Sequence, residues 1–374
     1  MDAKAWALAH YEEQVALLDT LCRIPAPSHK EGKRAEYIKA WLEERGCKNV
    51  FIDDALNVIV PPRAEGKATL LMAHTDTVFP DMEPFEPKIE GDRMYCPGVG
   101  DDTANVTALM LLAEYAAAQQ GEGWDHLIFA ANACEEGLGN LKGCRALMAR
   151  YGENLKQVLS IDCGYDGGVN RAVGSARYEV TIRTEGGHSF GSFGNRNAIH
   201  AMAVLINSLY SIKPPKVGSS KTTYNVGMIS GGTSVNTIAQ EASMLYEYRS
   251  DNAQCMKMME KAFMAQIEAV RAMGVEAEVK VLGVRPGMGE VDEVAQLALE
   301  NLCQAAVTAE IGKPMGLGSA STDINMPLSM GIPALCFGAY LGAGAHTREE
   351  WLELSSLPVG LAIWMRVLHA LAKE

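Results

Sequence analysis

The run Thr69-Leu70-Leu71-Met72-Ala73-His74-Thr75-Asp76 decides how the rest of the chain is read. Its first five residues have the apolar character of a short buried strand, and a histidine and an aspartate follow at its end. The same ending recurs elsewhere. Residues 127–133 run into Glu135-Glu136, and Leu159-Ser160-Ile161 runs into Asp162. Two glycine-rich loops complete the set: Pro97-Gly98-Val99-Gly100 leads to Asp101-Asp102, and Ala343-Gly344-Ala345 leads to His346. Five separate segments that each end in a carboxylate or imidazole donor point to one shared polynuclear metal site.

Around these segments the periodicity sets a fold class. Helical spacing covers 4–21 and 31–45, and the turn Pro25-Ala26-Pro27-Ser28 forbids one continuous helix. Gly46 stands where a C-cap glycine belongs. Short apolar runs at 57–60, 69–73, 127–131 and 158–161 alternate with expected helices at 103–119 and 141–151. Strands alternating with helices predict an α/β fold with a mixed, mostly parallel sheet flanked by helices. Ligands of such sheets gather beyond the carboxyl ends of the strands, where His74, Glu135 and Asp162 fall.

The texture changes near residue 172. Residues 178–183, 225–229 and 243–249 alternate as half-exposed strands, while 198–211 and 254–273 read as long helices. From 284 the earlier pattern returns, with helices at 291–308 and 355–372 and a strand at 334–337. The expected organisation is a catalytic domain in two parts, 1–173 and 285–374, interrupted by an α+β domain at 174–284.

Composition narrows the partners. The 374 residues carry 33 basic and 46 acidic side chains, a net charge of -13, with 48% hydrophobic and 21% charged residues. That balance argues against nucleic acid or an anionic membrane as a partner. No stretch is read as approaching the roughly 18 apolar residues of a membrane span; the richest, 106–118, contains Glu114 and Tyr115. Met1-Asp2-Ala3-Lys4 lacks the layout of a secretory signal. Nine cysteines without a Cys-x-x-Cys pair read as buried thiols in a reducing compartment. A cytoplasmic location is expected.

Each donor type suits its place. A ligating imidazole usually passes its other N–H to a carboxylate, and Asp76, two residues after His74, suits that task. An aspartate pair after Gly-x-Gly exceeds what an N-cap requires, and one such carboxylate can bridge two cations. Adjacent glutamates at a buried strand end repel one another; a cation neutralises one, and the other is kept for moving protons.

A rival reading uses Gly187-His188-Ser189-Phe190-Gly191 as a serine nucleophile elbow, with Asp323 and His346 following in order. An elbow needs a helix directly after its serine, whereas Gly191, Gly194 and Asn195 delay the helix to about 197. That reading also leaves His74 and five acids unexplained. Gly231-Gly232-Thr233 lacks the lysine of a phosphate loop. His10, His29, His126, His200 and His369 read as residues of helix faces and turns.

The ordered set "MAHTDTV", "GVGDDTANV", "ACEEG", "SIDCG", "GAGAH" and "REEW" resembles the two-zinc metallopeptidase family 20. That family includes peptidase T, carboxypeptidase G, acetylornithine deacetylase and succinyl-diaminopimelate desuccinylase. "GGHSFG", "NAIH" and "GGTSVNTIA", followed by Arg249, resemble its ferredoxin-like dimerisation or lid domain. The resemblance implies one divalent ion on His74, Asp101 and Asp162 and a second on Asp101, Glu136 and His346. Asp101 then bridges, Asp76 supports His74, and Glu135 is the general base. It further implies that His188 reaches the partner subunit's site to stabilise the oxyanion, and that Asn236 and Arg249 grip the substrate. Zinc is the expected metal, with cobalt or manganese as alternatives. Where the family usually has a basic residue after the double aspartate, Thr103 stands here. Asp162 in place of Glu leans toward the aminopeptidase and carboxypeptidase members. The expected activity is therefore hydrolysis of an amide bond in short peptides by a homodimer. Deacylation of N-acyl amino acids on the same machinery is the alternative, and a non-catalytic metal-binding homologue is a remote third.

Overall fold

The computed structural model describes residues 2–373. It divides into two compact units, one formed by the chain up to Ala172 together with Gly289 onward, the other by Val173–Met288.

The first unit is built on an eight-stranded mixed sheet. In spatial order the strands are Phe51–Ile52, Val58–Val60, Leu127–Asn132, Ala68–His74, Leu155–Ser160, Ala334–Phe337, Gly167–Ala172 and Gly316–Ala320. The four from Leu127–Asn132 to Ala334–Phe337 are mutually parallel. Every residue of Ala68–His74 is buried, as a central strand covered on both faces requires. His74 lies opposite Asn132 and Met72 opposite Ser160. The chain therefore leaves three neighbouring strands at the same edge of the sheet, delivering His74, Glu135-Glu136 and Asp162 to one place.

Helices cover that sheet. Asn105–Ala117 is buried almost all round. Leu357–Leu371 places Trp364 in a stack on Phe337, ring centroids 4.3 Å apart, with its indole N–H donated to Gly338 O at 3.0 Å. Each fully buried side chain of this size contributes about 1.5–3 kcal/mol. Residues Leu354–Leu371 have a mean hydropathy of 1.4, so by length and composition they could span a membrane, and this corrects the sequence reading. The same stretch is 67% buried within the protein and serves as a core helix. The expected helix at 4–21 is two helices, Ala3–Ala9 and Tyr11–Cys22. His10 breaks it by turning out of helical geometry, and its ring hydrogen-bonds back to Trp6 O.

The second unit follows a β-α-β-β-α-β order. Its antiparallel sheet runs Thr222–Gly231, Glu241–Ser250, Gly174–Arg183, Glu276–Arg285, and its helices are Ala198–Tyr210 and Ala253–Arg271. Along Glu241–Ser250 the residues Ala242, Met244, Tyr246 and Tyr248 point inward, alternating with more exposed ones. Tyr246 stacks on Phe263 of the second helix at 5.0 Å. The fourth strand, Glu276–Arg285, was not foreseen. Its alternation is interrupted by a register shift between Val281 and Gly283, which blurs the period-two signal.

Candidate metal centre

His74 ends a central strand and is 2% exposed. Its main-chain N–H donates to Asp102 Oδ2 at 2.9 Å, which fixes the backbone at the point where the ring departs. Nε2 lies 3.1 Å from Asp101 Oδ1. Nδ1 lies 3.1 Å from the main-chain oxygen of Asp76 and 3.4 Å from its carboxylate.

Asp101 faces two imidazoles at once. Its other oxygen, Oδ2, is 3.1 Å from His346 Nε2, and the same nitrogen is 3.1 Å from Glu136 Oε1. Two donor groups therefore share this residue. In one, single donor atoms of His74, Asp101, Asp102 and Asp162 lie within 4.8 Å of each other; in the other, those of Asp101, Glu136 and His346 do. His74, Glu135 and Glu136 form a further overlapping group on the same criterion.

Asp76 does more than face His74. Oδ1 accepts the Glu135 main-chain N–H at 2.9 Å and Oδ2 accepts that of Glu136 at 3.0 Å. Ser28, from the proline-rich turn, donates its hydroxyl to Oδ2 at 2.6 Å. One buried carboxylate thus holds both the His74 strand end and the glutamate loop. Glu31 supports that loop from behind, accepting the Cys134 N–H at 3.0 Å.

The electrostatics are unbalanced in favour of cations. Asp76, Asp102, Glu135, Glu136, Asp162 and Asp323 are all buried around this edge. Burial pushes the Asp162 carboxyl up to about 6 and that of Asp323 to about 7. Burial also disfavours the charged form of Asp101, yet hydrogen bonds from His346 and His74 hold it below the usual carboxylate range. His346 is pushed up to about 10, first by its bond to Asp101 and then by Glu136. Imidazoles and carboxylates in this mixture are the donor set of zinc, cobalt or manganese, and divalent ions fit it.

Several residues of this edge escaped the sequence reading. Asp102 was seen only as half of a pair, yet it accepts from His74 N and from Asn105 Nδ2, the latter at 2.6 Å. Asp323, considered only as a triad acid, accepts from Asn132 Nδ2 at 2.6 Å, while the partners of His346 are Asp101 and Glu136. Glu350 accepts three main-chain N–H groups of the Gly98–Asp101 loop. Its signals were its place four residues after His346 and its presence in the "REEW" motif, which gave it no role. Thr103 donates its hydroxyl to Gly98 O at 2.6 Å.

The remaining expected residues belong to the second unit. His188 pairs with Thr237 on short strands, and Ser189 N donates to Asn236 O at 2.9 Å, so His188 and Asn236 are neighbours. Nδ1 of His188 accepts from the main-chain N–H groups of Phe190 and Gly191, both at 3.3 Å. No helix follows Ser189 directly; the next begins at Ala198. Arg249 lies on a long strand and holds the Glu247 carboxylate with two bonds of 3.1 Å.

Residues 70–370 match the description of peptidase family M20/M25/M40. The chain belongs to that family. Its reaction class is accordingly metal-dependent hydrolysis of an amide bond, in peptides or acylated amino acids. A similar curated protein is the succinyl-diaminopimelate desuccinylase of Corynebacterium glutamicum, 26% identical over 366 residues, covering 95% of this chain and 96% of that one. Among solved structures, a tripeptidase of Staphylococcus aureus superposes with a TM-score of 0.77 at 20% identity, covering 97% of this chain and 99% of that one. A Bacillus subtilis protein described as a dinuclear metal-binding peptidase of family M20 gives 0.67 at 18% identity, covering 98% and 99%.

Proposed function

We propose that this M20 hydrolase cleaves an amide bond of short peptides with two divalent cations, zinc first among them, and with Glu135 as general base. One observation carries this reading. Asp101 turns its two oxygens to two histidines, so His74 and Asp162 can hold one ion and Glu136 and His346 the other, with Asp101 between them. Bound there, the cations would polarise the scissile carbonyl and lower the pKa of the attacking water.

The protein's own groups supply the rest. Glu135 sits beside His74 and Glu136 with its main chain fixed on Asp76, so its carboxylate is oriented to take a proton from water. The same oxygen then returns that proton to the leaving amine nitrogen. His188 accepts two main-chain N–H groups at Nδ1, so a neutral ring carries its proton on Nε2. That N–H supports a role in steadying the carbonyl oxygen of a substrate bound by the partner subunit. Asn236 and Arg249 are proposed to grip the substrate's backbone or carboxylate.

A homodimer through the second unit is part of the proposal. Thr222–Gly231 is an edge strand, and it exposes Met228 and Ile229, features that favour pairing with a second copy.

The near full-length likeness to the desuccinylase favours a second reading, deacylation of N-acyl amino acids. Initial rates on di- and tripeptides against N-acetyl and N-succinyl amino acids, with and without chelator, separate the two. Peptide hydrolysis that the chelator abolishes is the expected result. Activity confined to acyl substrates would replace the first reading by the second, and chelator-resistant turnover would end both.

A further inference from the structure

Glu350 is 2% exposed, and its carboxylate is spent on a loop some 250 residues earlier in the chain. Oε2 accepts the N–H of Gly98 at 2.7 Å; Oε1 accepts those of Gly100 at 2.9 Å and Asp101 at 2.8 Å. Three N–H groups converging on one buried carboxylate offset the cost of removing it from water. The loop is shaped for this. Gly98 has φ +74°, and a Cβ on Gly100 would clash with the Tyr340 hydroxyl, so side chains are excluded where the N–H groups turn inward.

We propose that Glu350 is a positioning residue of the metal centre, holding Asp101 so that its two oxygens face His74 and His346. The last of its three bonds is to the N–H of Asp101 itself, which fixes where that side chain leaves the backbone. Glu350 is also tied to the segment that carries His346. The next residue, Trp351, pairs with Ala343 at the base of the loop that bears His346, so the Glu350 side chain joins that loop to the Gly98–Asp101 loop. Two of the three donors assigned to the second ion, Asp101 and His346, thus lie on the two segments that this side chain joins. The first ion shares Asp101 but keeps His74 and Asp162, which depend on the central strands instead. Loss of Glu350 therefore weakens the second ion, which has two donors on the joined segments, more than the first, which has one.

Glu350→Gln tests this. A carboxamide can present one oxygen, so at least one loop N–H faces an NH2 group in place of an acceptor. Co2+ is titrated into the metal-free wild-type and variant proteins, reading visible absorption and calorimetric stoichiometry. The proposal rests on the two-cation reading, and the wild-type arm tests that reading separately. The expected result is two ions per wild-type chain, and in the variant a first ion bound within about threefold of wild type and a second bound about 10–100-fold more weakly. With the weaker site saturated, kcat remains lowered while KM changes little. If circular dichroism shows Glu350→Gln unfolded, Glu350→Asp, which is too short to reach all three donors, replaces it with the same expectation. A folded variant that loads both ions with wild-type affinity overturns the proposal, even if its metal-free form melts earlier, since that describes a purely structural residue. A wild-type protein that binds fewer than two ions overturns the two-cation reading and this inference with it.

Discussion

Asp76 Oδ1 accepts the main-chain N–H of Glu135 at 2.9 Å, so the residue expected to steady a histidine also holds the proposed base in place. Replacing Asp76 by Asn turns an NH2 group toward a main-chain donor on one side or the other. The expected outcome for Asp76→Asn is a fall in kcat of about 10–100-fold together with weaker metal binding. Metal content after dialysis and steady-state rates measure both. Unchanged rates would show that the loop keeps its shape without this carboxylate.

Glu135→Gln should separate binding from chemistry. The amide keeps the size of the side chain and cannot accept the proton from water. Two ions per chain should remain in elemental analysis, while kcat drops by about 10²–10⁴-fold, the usual worth of a positioned base. A variant retaining most of its rate would refute the role.

Chelation should destabilise the protein as well as silence it. Without cations the buried carboxylates around Asp101 repel one another, and an ion that binds only the folded state adds about 2.7 kcal/mol at a hundredfold excess over its Kd. Differential scanning calorimetry should show a lower Tm after EDTA and recovery on adding Zn2+. A Tm that ignores both treatments would argue against ion binding at this edge.

The exposed edge of the second unit predicts an oligomeric state. Met228→Glu with Ile229→Glu places charges on the strand Thr222–Gly231, 66% and 59% exposed at those positions. Sedimentation velocity should show a dimer for the wild type and a monomer for the double variant. A wild-type protein that sediments as a monomer at micromolar concentration would remove the dimer from the proposal.

His369 predicts a pH effect away from the site. Burial lowers its pKa from the ordinary histidine value, and its ring shares a 2.9 Å hydrogen bond with the Tyr115 hydroxyl. Protonation is easier in the unfolded chain, so this contribution is complete above the unfolded pKa near 6.5 and is lost as pH falls through it toward the folded value. Urea unfolding at pH 7.5 and 5.5 should therefore show a smaller loss of stability on acidification for His369→Gln than for wild type. Equal losses would assign the acid sensitivity elsewhere.

The ligands were legible because each follows a local pattern. His74, Glu135-Glu136 and Asp162 come directly after apolar runs of strand length, and parallel pairing then brings those ends side by side. Asp101 was legible from its glycines. Glu350, Asp102 and Asp323 were not, because their partners lie elsewhere in the chain: Gly98 to Asp101, His74 and Asn132. Glu350 lies within the quoted "REEW", yet beside Arg348 and Glu349 its local pattern is that of a solvated surface residue until the fold buries it. The strand Glu276–Arg285 was lost to a bulge, and the break at His10 was hidden inside one continuous helical period.

Local order in the chain settled which residue types end which strands, since the alternation of apolar and polar positions is a property of neighbours. The folded arrangement alone decided that Asp101 meets two histidines, that Asp76 serves two loops, and that Glu350 turns inward. Those relationships depend on close packing between segments 27 to 250 residues apart, where a hydrogen bond forms only once burial has removed water as the competing partner.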